Sequence, residues 1–419
     1  MKTKVKKIIK KSKIARKVHR YIIDDYIQKK EINFNIDEIT ALYAQEGIDN
    51  KELRFNIAIP TLKKEFVFGG ITTALNFFFQ LSQGYDQRIL LTDSDVHTED
   101  VERYDGFKIV PMGKQSKLCK QVVACNDRMF SKLDITANDI FVATSWWSAY
   151  ILIPLIKWQN ERFNVNRKLI YLIQDYEPGF YPWSSRYMLA DSTYRSDLDV
   201  IAVFNTKLLQ EFFNNNNYKF YKEFYFEPVL NENLYKCLME TKEVERKKRM
   251  VVYGRPSVDR NCFEIIIGAL KKLLEIYPEA KEWEFISMGE THATIPLDGN
   301  SNLVSLGKVS LDEYATTMKE AYVGLSLMVS PHPSYPPLEM STFGIRTITN
   351  NYSNKNIKSF SDNIISLDNC SYENVATTIM QEMKKYPLKQ DVQINQTYVL
   401  NQDVFSDIVN DIISFLKES

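Results

Sequence analysis

Two successive stretches of this chain alternate short apolar runs with amphipathic segments, and that alternation constrains the fold more than any other feature. In the first half the apolar runs are 55–59, 88–91, 108–111, 140–143, 169–173, 200–204 and 224–229, with an amphipathic segment such as 71–82 between them. The second half repeats the pattern, with runs at 250–253, 283–288, 303–306, 323–329, 346–349 and 363–367. Helix candidates there are 261–276, 311–321, 337–343 and 372–385, and a final one spans about 402–417. Such alternation predicts an α/β fold of parallel sheets covered by helices on both faces. At 419 residues the chain exceeds what one core usually holds. Two Rossmann-like domains with a cleft between them are therefore expected, and in such sheets ligands sit beyond the carboxyl ends of the strands. The expected boundaries are a basic N-terminal segment 1–30, a first domain 31–235 and a second domain 236–395. Residues 396–419 are expected to form a helix packing back toward the first domain. The charged stretch 235–249 has no clear apolar face and reads as a linker or connecting helix.

The formal net charge of zero conceals an asymmetry. Residues 1–30 hold 12 Lys or Arg against Asp24 and Asp25, a net of +10, so the remainder carries −10. This is a local electrostatic tag, not a nucleic-acid-binding surface spread over a fold. Val5, Ile8, Ile9, Ala15, Val18 and Ile22 recur at roughly helical spacing, so residues 1–23 read as a basic amphipathic helix suited to an anionic membrane. A solvated basic arm is the alternative. The five cysteines stand at 119, 125, 237, 262 and 370, without the close spacing of a zinc or redox motif. A reduced, cytoplasmic setting is expected. No secretory leader and no span of 18 apolar residues is read.

The most specific motif is Ser330-Pro331-His332-Pro333-Ser334-Tyr335-Pro336-Pro337-Leu338-Glu339, between an apolar run and a helix expected to begin at Pro337. A helix N-terminus offers free N–H groups and a positive dipole end to a phosphate. Glu339, expected in the first turn, would repel a phosphate but can accept bonds from sugar hydroxyls, which suggests a nucleotide with ribose and phosphate. His332 lies inside this motif, where capping or loop packing is the alternative to chemistry. Gly254, after a strand, lets the backbone turn beneath a ligand. Arg255 and Arg260 follow it and match a doubly charged diphosphate, unless they hold surface carboxylates. Lys308 also leaves a strand end, and a solvated lysine is the alternative. Gly69 and Gly70 open a helix where a backbone could approach a sugar or phosphate. The loop 171–184, with Asp175, Glu177, Tyr181 and Trp183, combines carboxylates with aromatic faces, as a carbohydrate surface requires, or is a packed structural loop. Asp93 and Asp95 are an acid pair that could hold Mn²⁺ or Mg²⁺, although a polar strand-end loop is more common.

On Gly69-Gly70-Ile-Thr-Thr, Glu177-Pro-Gly-Phe-Tyr-Pro-Trp-Ser, Tyr253-Gly-Arg-Pro and the Ser330–Glu339 motif, the chain resembles two-domain glycosyltransferases of the glycosyltransferase-B fold. It is most similar to the bacterial rhamnosyltransferases of rhamnose-rich surface glycans. The resemblance spans roughly residues 55 to 350. It implies that Glu339 binds the ribose and that Arg255 and Arg260 grip the diphosphate, with Ser334, Tyr335 and Lys308 also in the donor site. A second glutamate, eight positions before Glu339 in the wider retaining family, is replaced by Pro331, which leaves room for a deoxysugar. The implied donor is thymidine diphosphate-rhamnose, with neither metal nor cofactor and with retention of configuration. Asp175, Glu177 and His332 are the catalytic candidates. The Gly69–Gly70 loop and Glu177, Tyr181 and Trp183 would position a glycan acceptor, expected to be lipid-linked. The enzyme would lie on the inner face of the cell membrane. A nucleotide-sugar epimerase on the same fold and a metal-dependent glycosyltransferase using Asp93 and Asp95 are the rival readings.

Overall fold

The computed structural model describes residues 35–418 except 49–50, 68, 127, 241–244, 389–391, 393–394 and 401–402. The basic segment 1–23 lies outside the described residues. Both large sheets belong to one compact unit, residues 41–419.

The first large sheet has eight strands, all parallel. At its centre Arg54–Ile59 lies between Asp86–Leu91 and Asp139–Ala143. Leu169–Ile173, Val200–Asn205 and Lys222–Phe226 extend the sheet beyond Asp139–Ala143. Lys120–Ala124 and Lys108–Ile109 extend it beyond Asp86–Leu91. The central strands read as apolar runs because helices cover both faces, so each residue of Arg54–Ile59 and Leu169–Ile173 is buried. The order reverses between Arg54–Ile59 and Asp139–Ala143, and a crevice opens at their carboxyl ends.

The polar residues that interrupt these runs form one buried knot near the amino ends of the strands. Arg54 donates to both Asp139 carboxylate oxygens, at 2.7 and 2.9 Å. Arg88 donates to Asn56 Oδ1 at 2.6 Å and lies 3.3 Å from Asp134. Burial alone would raise the pKa of Asp139, but Arg88 and Arg54 hold it below the ordinary carboxylate value. Two cations against two anions leave the knot neutral, which is what lets it sit inside a sheet.

The second sheet has seven strands, six of them parallel, with Ile295–Pro296 antiparallel at one edge. Arg249–Gly254 is central, between Glu284–Gly289 and Val323–Leu325, and the order reverses there as well. The chain then runs through Gln396–Leu400, where Tyr398 and Val399 join a cluster with Leu338 and Met340 of this half. The last helix, Ser406–Glu418, packs on the first half. Ile408, Ile412 and Leu416 join the core around Phe77, and Phe405 meets the rings of Phe77 and Phe226 at 5.4 and 4.8 Å.

Sequence reasoning misses the strands Lys120–Ala124, Leu133–Ile135 and Ala44–Glu46 and does not delimit the helix Trp146–Phe163. It makes the apolar run 323–329 a single strand, but only Val323–Leu325 pairs in that way. From Ser326 the chain leaves the sheet, and Asn350 side-chain bonds hold Met328 at both its N–H and its carbonyl. The stretch after residue 230 contains a helix, Glu232–Met239, capped by the Asn231 side chain.

Candidate active site

A cavity of about 320 Å³ lies where the carboxyl ends of the two sheets face each other. Pro60, Thr144, Ser145, Gln174 and Asn205 line it, each at or just beyond the end of a strand in the first half. Arg260, His332 and Tyr335 come from the second half. A larger hollow, about 690 Å³, is bounded by Leu53, residues 164–167, Leu416 and Lys417. It sits at the amino ends of the strands and gathers no comparable set of groups from both halves.

Asp175 is the meeting point of the halves. The Ser330 hydroxyl donates to its carboxylate, which also accepts the Tyr176 N–H at 2.8 Å. The Arg260 guanidinium approaches it with Nε 3.7 Å from Oδ2 and stacks over the Phe180 ring at 4.1 Å. Behind this group Lys355 is 1% exposed and donates to the Met328 carbonyl at 2.7 Å. Burial pulls its pKa down to about 8, against the opposing pull of Asp175.

His332 is buried, and its Nδ1 accepts the Ser334 N–H at 3.0 Å. Burial lowers its pKa to about 4, so the imidazole is neutral at physiological pH. Ser334 itself adopts φ 68, a left-handed turn that carries a conformational cost in a non-glycine residue.

That turn corrects the motif's expected geometry. The helix begins at Tyr335, two residues earlier than the sequence suggests, and Glu339 is therefore its fifth residue, one turn inside. Pro336 and Pro337 fill the second and third helical positions, where proline is tolerated because those N–H groups have no helical partner. The same prolines remove two of the donors on which a phosphate site at this helix end would depend. Glu339 accepts a 2.6 Å bond from the Tyr314 hydroxyl, and burial raises its pKa.

Glu177 is buried in a nest of tyrosines, with the Tyr171 and Tyr194 hydroxyls 3.3 and 3.4 Å from its Oε2. Burial pushes its pKa up to about 8, and the Asp175 charge acts in the same sense. It lines the cavity as a carboxylic acid that is mainly protonated at neutral pH. The Tyr181 hydroxyl accepts the Trp146 indole N–H at 3.0 Å, which ties the loop to the helix Trp146–Phe163. Trp183, two residues on, is 97% exposed and stands outside the cavity.

Gly70 lines the cavity and faces the Gln174 amide, where an added Cβ would meet it at 3.1 Å. Gly69 precedes the helix with φ 51. Gly254 has a different reason from the one its sequence context suggests. A Cβ there would stand 2.1 Å from Ser287 Oγ and 2.9 Å from the Phe263 ring, so glycine makes room for packing within its own half. Arg255 lies beside Gly289 and Glu290 at the strand ends and does not line the cavity. Lys308 is exposed and donates to the Glu65 carbonyl at 3.3 Å, bridging the halves away from the cavity. Asp93 and Asp95 are exposed, and Asp95 accepts from the Asn126 amide. Among the described residues no three His, Cys, Asp or Glu side chains gather as a metal site.

Trp147, Asn205, Gln174, Thr144 and Ser145 do not stand out in the sequence as site residues. They come from three different strand ends and form no spaced motif. The rule that ligands sit beyond carboxyl ends, applied residue by residue, would have found Gln174 and Asn205.

The WsaF N-terminal domain model matches residues 54–207, and the WsaF C-terminal domain model matches residues 248–380. The O-antigen biosynthesis protein RfbC of Myxococcus xanthus is 29% identical over 223 residues. That match covers 52% of this chain and 16% of the relative, so the chain spans about a sixth of the curated protein it matches. Among solved structures, WaaG, a glycosyltransferase involved in lipopolysaccharide biosynthesis, superposes with a TM-score of 0.51 at 13% identity. It covers 86% of this chain and 99% of its own. The α,α-trehalose 6-phosphate synthase of Burkholderia multivorans superposes with a TM-score of 0.54 at 7% identity, covering 90% and 99%. At these identities the two structures speak for the fold, which is glycosyltransferase-B. No helix among the described residues is long and apolar enough to cross a membrane.

Proposed function

The chain belongs to the WsaF glycosyltransferase family, and from that premise we propose that it transfers rhamnose from thymidine diphosphate-rhamnose to a growing, lipid-linked surface glycan. The observation that carries the reading is the cavity at the meeting of both switch points, with the Arg260 guanidinium in its wall. The donor binds the second half and the acceptor enters from the first, past Gly70 and Glu177. The bond from the anomeric carbon to the diphosphate breaks, and the leaving oxygen takes negative charge. Arg260, with Arg255 at the outer strand end, stabilises that charge more than the ground state, which is what lowers the barrier. The acceptor oxygen bonds to the same face of the anomeric carbon, and its proton passes to the departing phosphate. Neutral His332 and protonated Glu177 are poor bases for this step at pH 7. Glu339 and Tyr314 hold the ribose side, and no metal takes part.

The missing glutamate at Pro331 favours a deoxysugar, as the family resemblance implies. Residues 1–23 would hold the enzyme on the anionic inner face of the membrane, close to a lipid-linked acceptor. Incubation with labelled thymidine diphosphate-rhamnose and a rhamnose-terminated lipid acceptor tests the reading. Transfer is expected. Isomerisation of the donor without transfer would favour an epimerase, and no reaction would overturn the proposal.

A further inference from the structure

The cavity wall carries hydrogen-bonding groups that the protein leaves unused. Trp147 Nε1, Asn205 Oδ1, Arg260 Nε and His332 Nε2 are all buried without a hydrogen-bond partner, and all four residues line this one cavity. Buried polar atoms are nearly always paired, so such a concentration marks where a polar ligand completes the set. The protein's own bonds fix the orientation of two of them. His332 Nδ1 accepts the Ser334 N–H, which leaves the ring proton on Nε2. The Asn205 Nδ2 donates to the Tyr335 hydroxyl at 3.2 Å, which turns Oδ1 to the open side. Asn205 is followed by Thr206 at φ 118, a strained conformation of the kind that marks functional positions.

We propose that Trp147, Asn205 and His332 form the sugar-recognition cradle of the site, binding the ring hydroxyls of the transferred hexose. Two uncharged donors and one uncharged acceptor match hydroxyl groups, which can accept and donate. None of the three suits a phosphate as Arg260 does. Pro60, Ile71 and Phe180 line the same space and offer apolar surface to the carbon faces of the ring. The volume, about 320 Å³, sits at the lower end of the usual range of about 300–1,000 Å³ for ligand pockets, as a single sugar requires. These residues act as specificity determinants, and their assignment rests on the proposed transferase reading, which it deepens.

The test uses the full chain with Trp147→Phe, which keeps an aromatic face and removes the donor with the pyrrole half of the indole, and His332→Asn, whose amide oxygen can still accept the Ser334 N–H. Binding of thymidine diphosphate, of thymidine diphosphate-rhamnose and of methyl rhamnoside is measured by calorimetry and saturation-transfer NMR. Both variants should bind thymidine diphosphate like the parent and lose about tenfold in affinity for the nucleotide sugar. If the parent binds methyl rhamnoside but no thymidine nucleotide, and the variants lose the glycoside, the donor reading fails and the cradle stands. Equal losses for diphosphate and nucleotide sugar would place these residues on the phosphate and overturn the proposal. Variants that fold and bind every sugar ligand like the parent, or a parent that binds none, would overturn it too. Thermal melting of both variants identifies a misfolded one, and the other then decides.

Discussion

Replacing Glu177 by Gln tests the electrostatics of the site without touching its shape. The carboxyl is buried against Tyr171 and Tyr194, and its pKa stands at about 8 against an ordinary 4.5. The folded state therefore binds the proton more tightly than the unfolded chain. Its contribution to stability is fully present below about pH 4.5 and is lost as pH rises toward about 8, beyond which it stays flat. At 1.36 kcal/mol per factor of ten, that interval amounts to about 5 kcal/mol as an upper limit, and relaxation or water entry reduces it to about 2–3 kcal/mol. Glutamine mimics the protonated acid and can still accept from both tyrosine hydroxyls, so it should remove the pH dependence and keep the fold. Denaturant titrations at pH 5.5, 7 and 8.5 measure this, with constant slopes required for the comparison. The parent should weaken steadily across the series, while Glu177→Gln should change less and exceed it at pH 8.5. Parallel curves for the two proteins would refute the reasoning, because a freely ionised Glu177 would have no shift to relieve. If transfer activity also survives the substitution, Glu177 is a structural acid and not the catalytic one.

Arg260→Ala should weaken thymidine diphosphate binding by about 1.5–3 kcal/mol, roughly ten- to hundred-fold, and Arg255→Ala should do the same if the diphosphate reaches the outer strand end. Unchanged affinity by calorimetry removes the residue concerned from the donor site. Transfer should persist in EDTA, since arginines are expected to neutralise the diphosphate; complete loss restored by Mn²⁺ would move the assignment to Asp93 and Asp95. Arg54→Met strands Asp139 and Asp134 in the buried knot beside Arg88, and should cost about 3–5 kcal/mol in a denaturation midpoint measured at equal slope. Deleting residues 1–23 should reduce sedimentation with anionic vesicles at low salt, because each basic residue contributes about 1 kcal/mol near such a surface. Full sedimentation of the truncated chain would assign the anchor elsewhere.

The strands are legible because their physical situation is written into composition. A strand buried on both faces is apolar wherever its side chains find no polar partner, and 169–173 reads Leu-Ile-Tyr-Leu-Ile. Lys120–Ala124 escapes because it opens on two polar residues and carries only two valines and an alanine, and Gln121 hides its polarity by donating to the Leu118 carbonyl. The site is legible where residues chemically distinct from their surroundings cluster in sequence, as in Ser330–Glu339. It is illegible where geometry alone confers meaning. Asn205 is one more strand residue until its neighbour across the cleft turns out to be Tyr335. Gly254 looks like a ligand-facing glycine because sequence cannot show Ser287 and Phe263 pressing on the same spot. Helix starts are similarly local and fragile, and one left-handed serine moves the motif's helix by two residues.

The contacts across the cleft would let the proposed site both hold and release a nucleotide sugar. Ser330 to Asp175, Asn205 to Tyr335, Asn354 to the Leu208 carbonyl and Lys308 to the Glu65 carbonyl are polar contacts. A contact of this kind between neutral groups contributes about 0.5–1.5 kcal/mol net, and up to about 1.5–3 kcal/mol where one group is charged, because water replaces it when it breaks. These bonds, unlike the apolar packing inside each half, can be exchanged for ligand or solvent at small cost. Arg260 would be the pivot of that exchange, since it faces Asp175 at 3.7 Å, beyond hydrogen-bond range. A diphosphate bound as proposed would offer the guanidinium a more highly charged partner. Asp175 would then be left with the Ser330 and Tyr176 bonds it already has, so donor binding need not strand a buried charge.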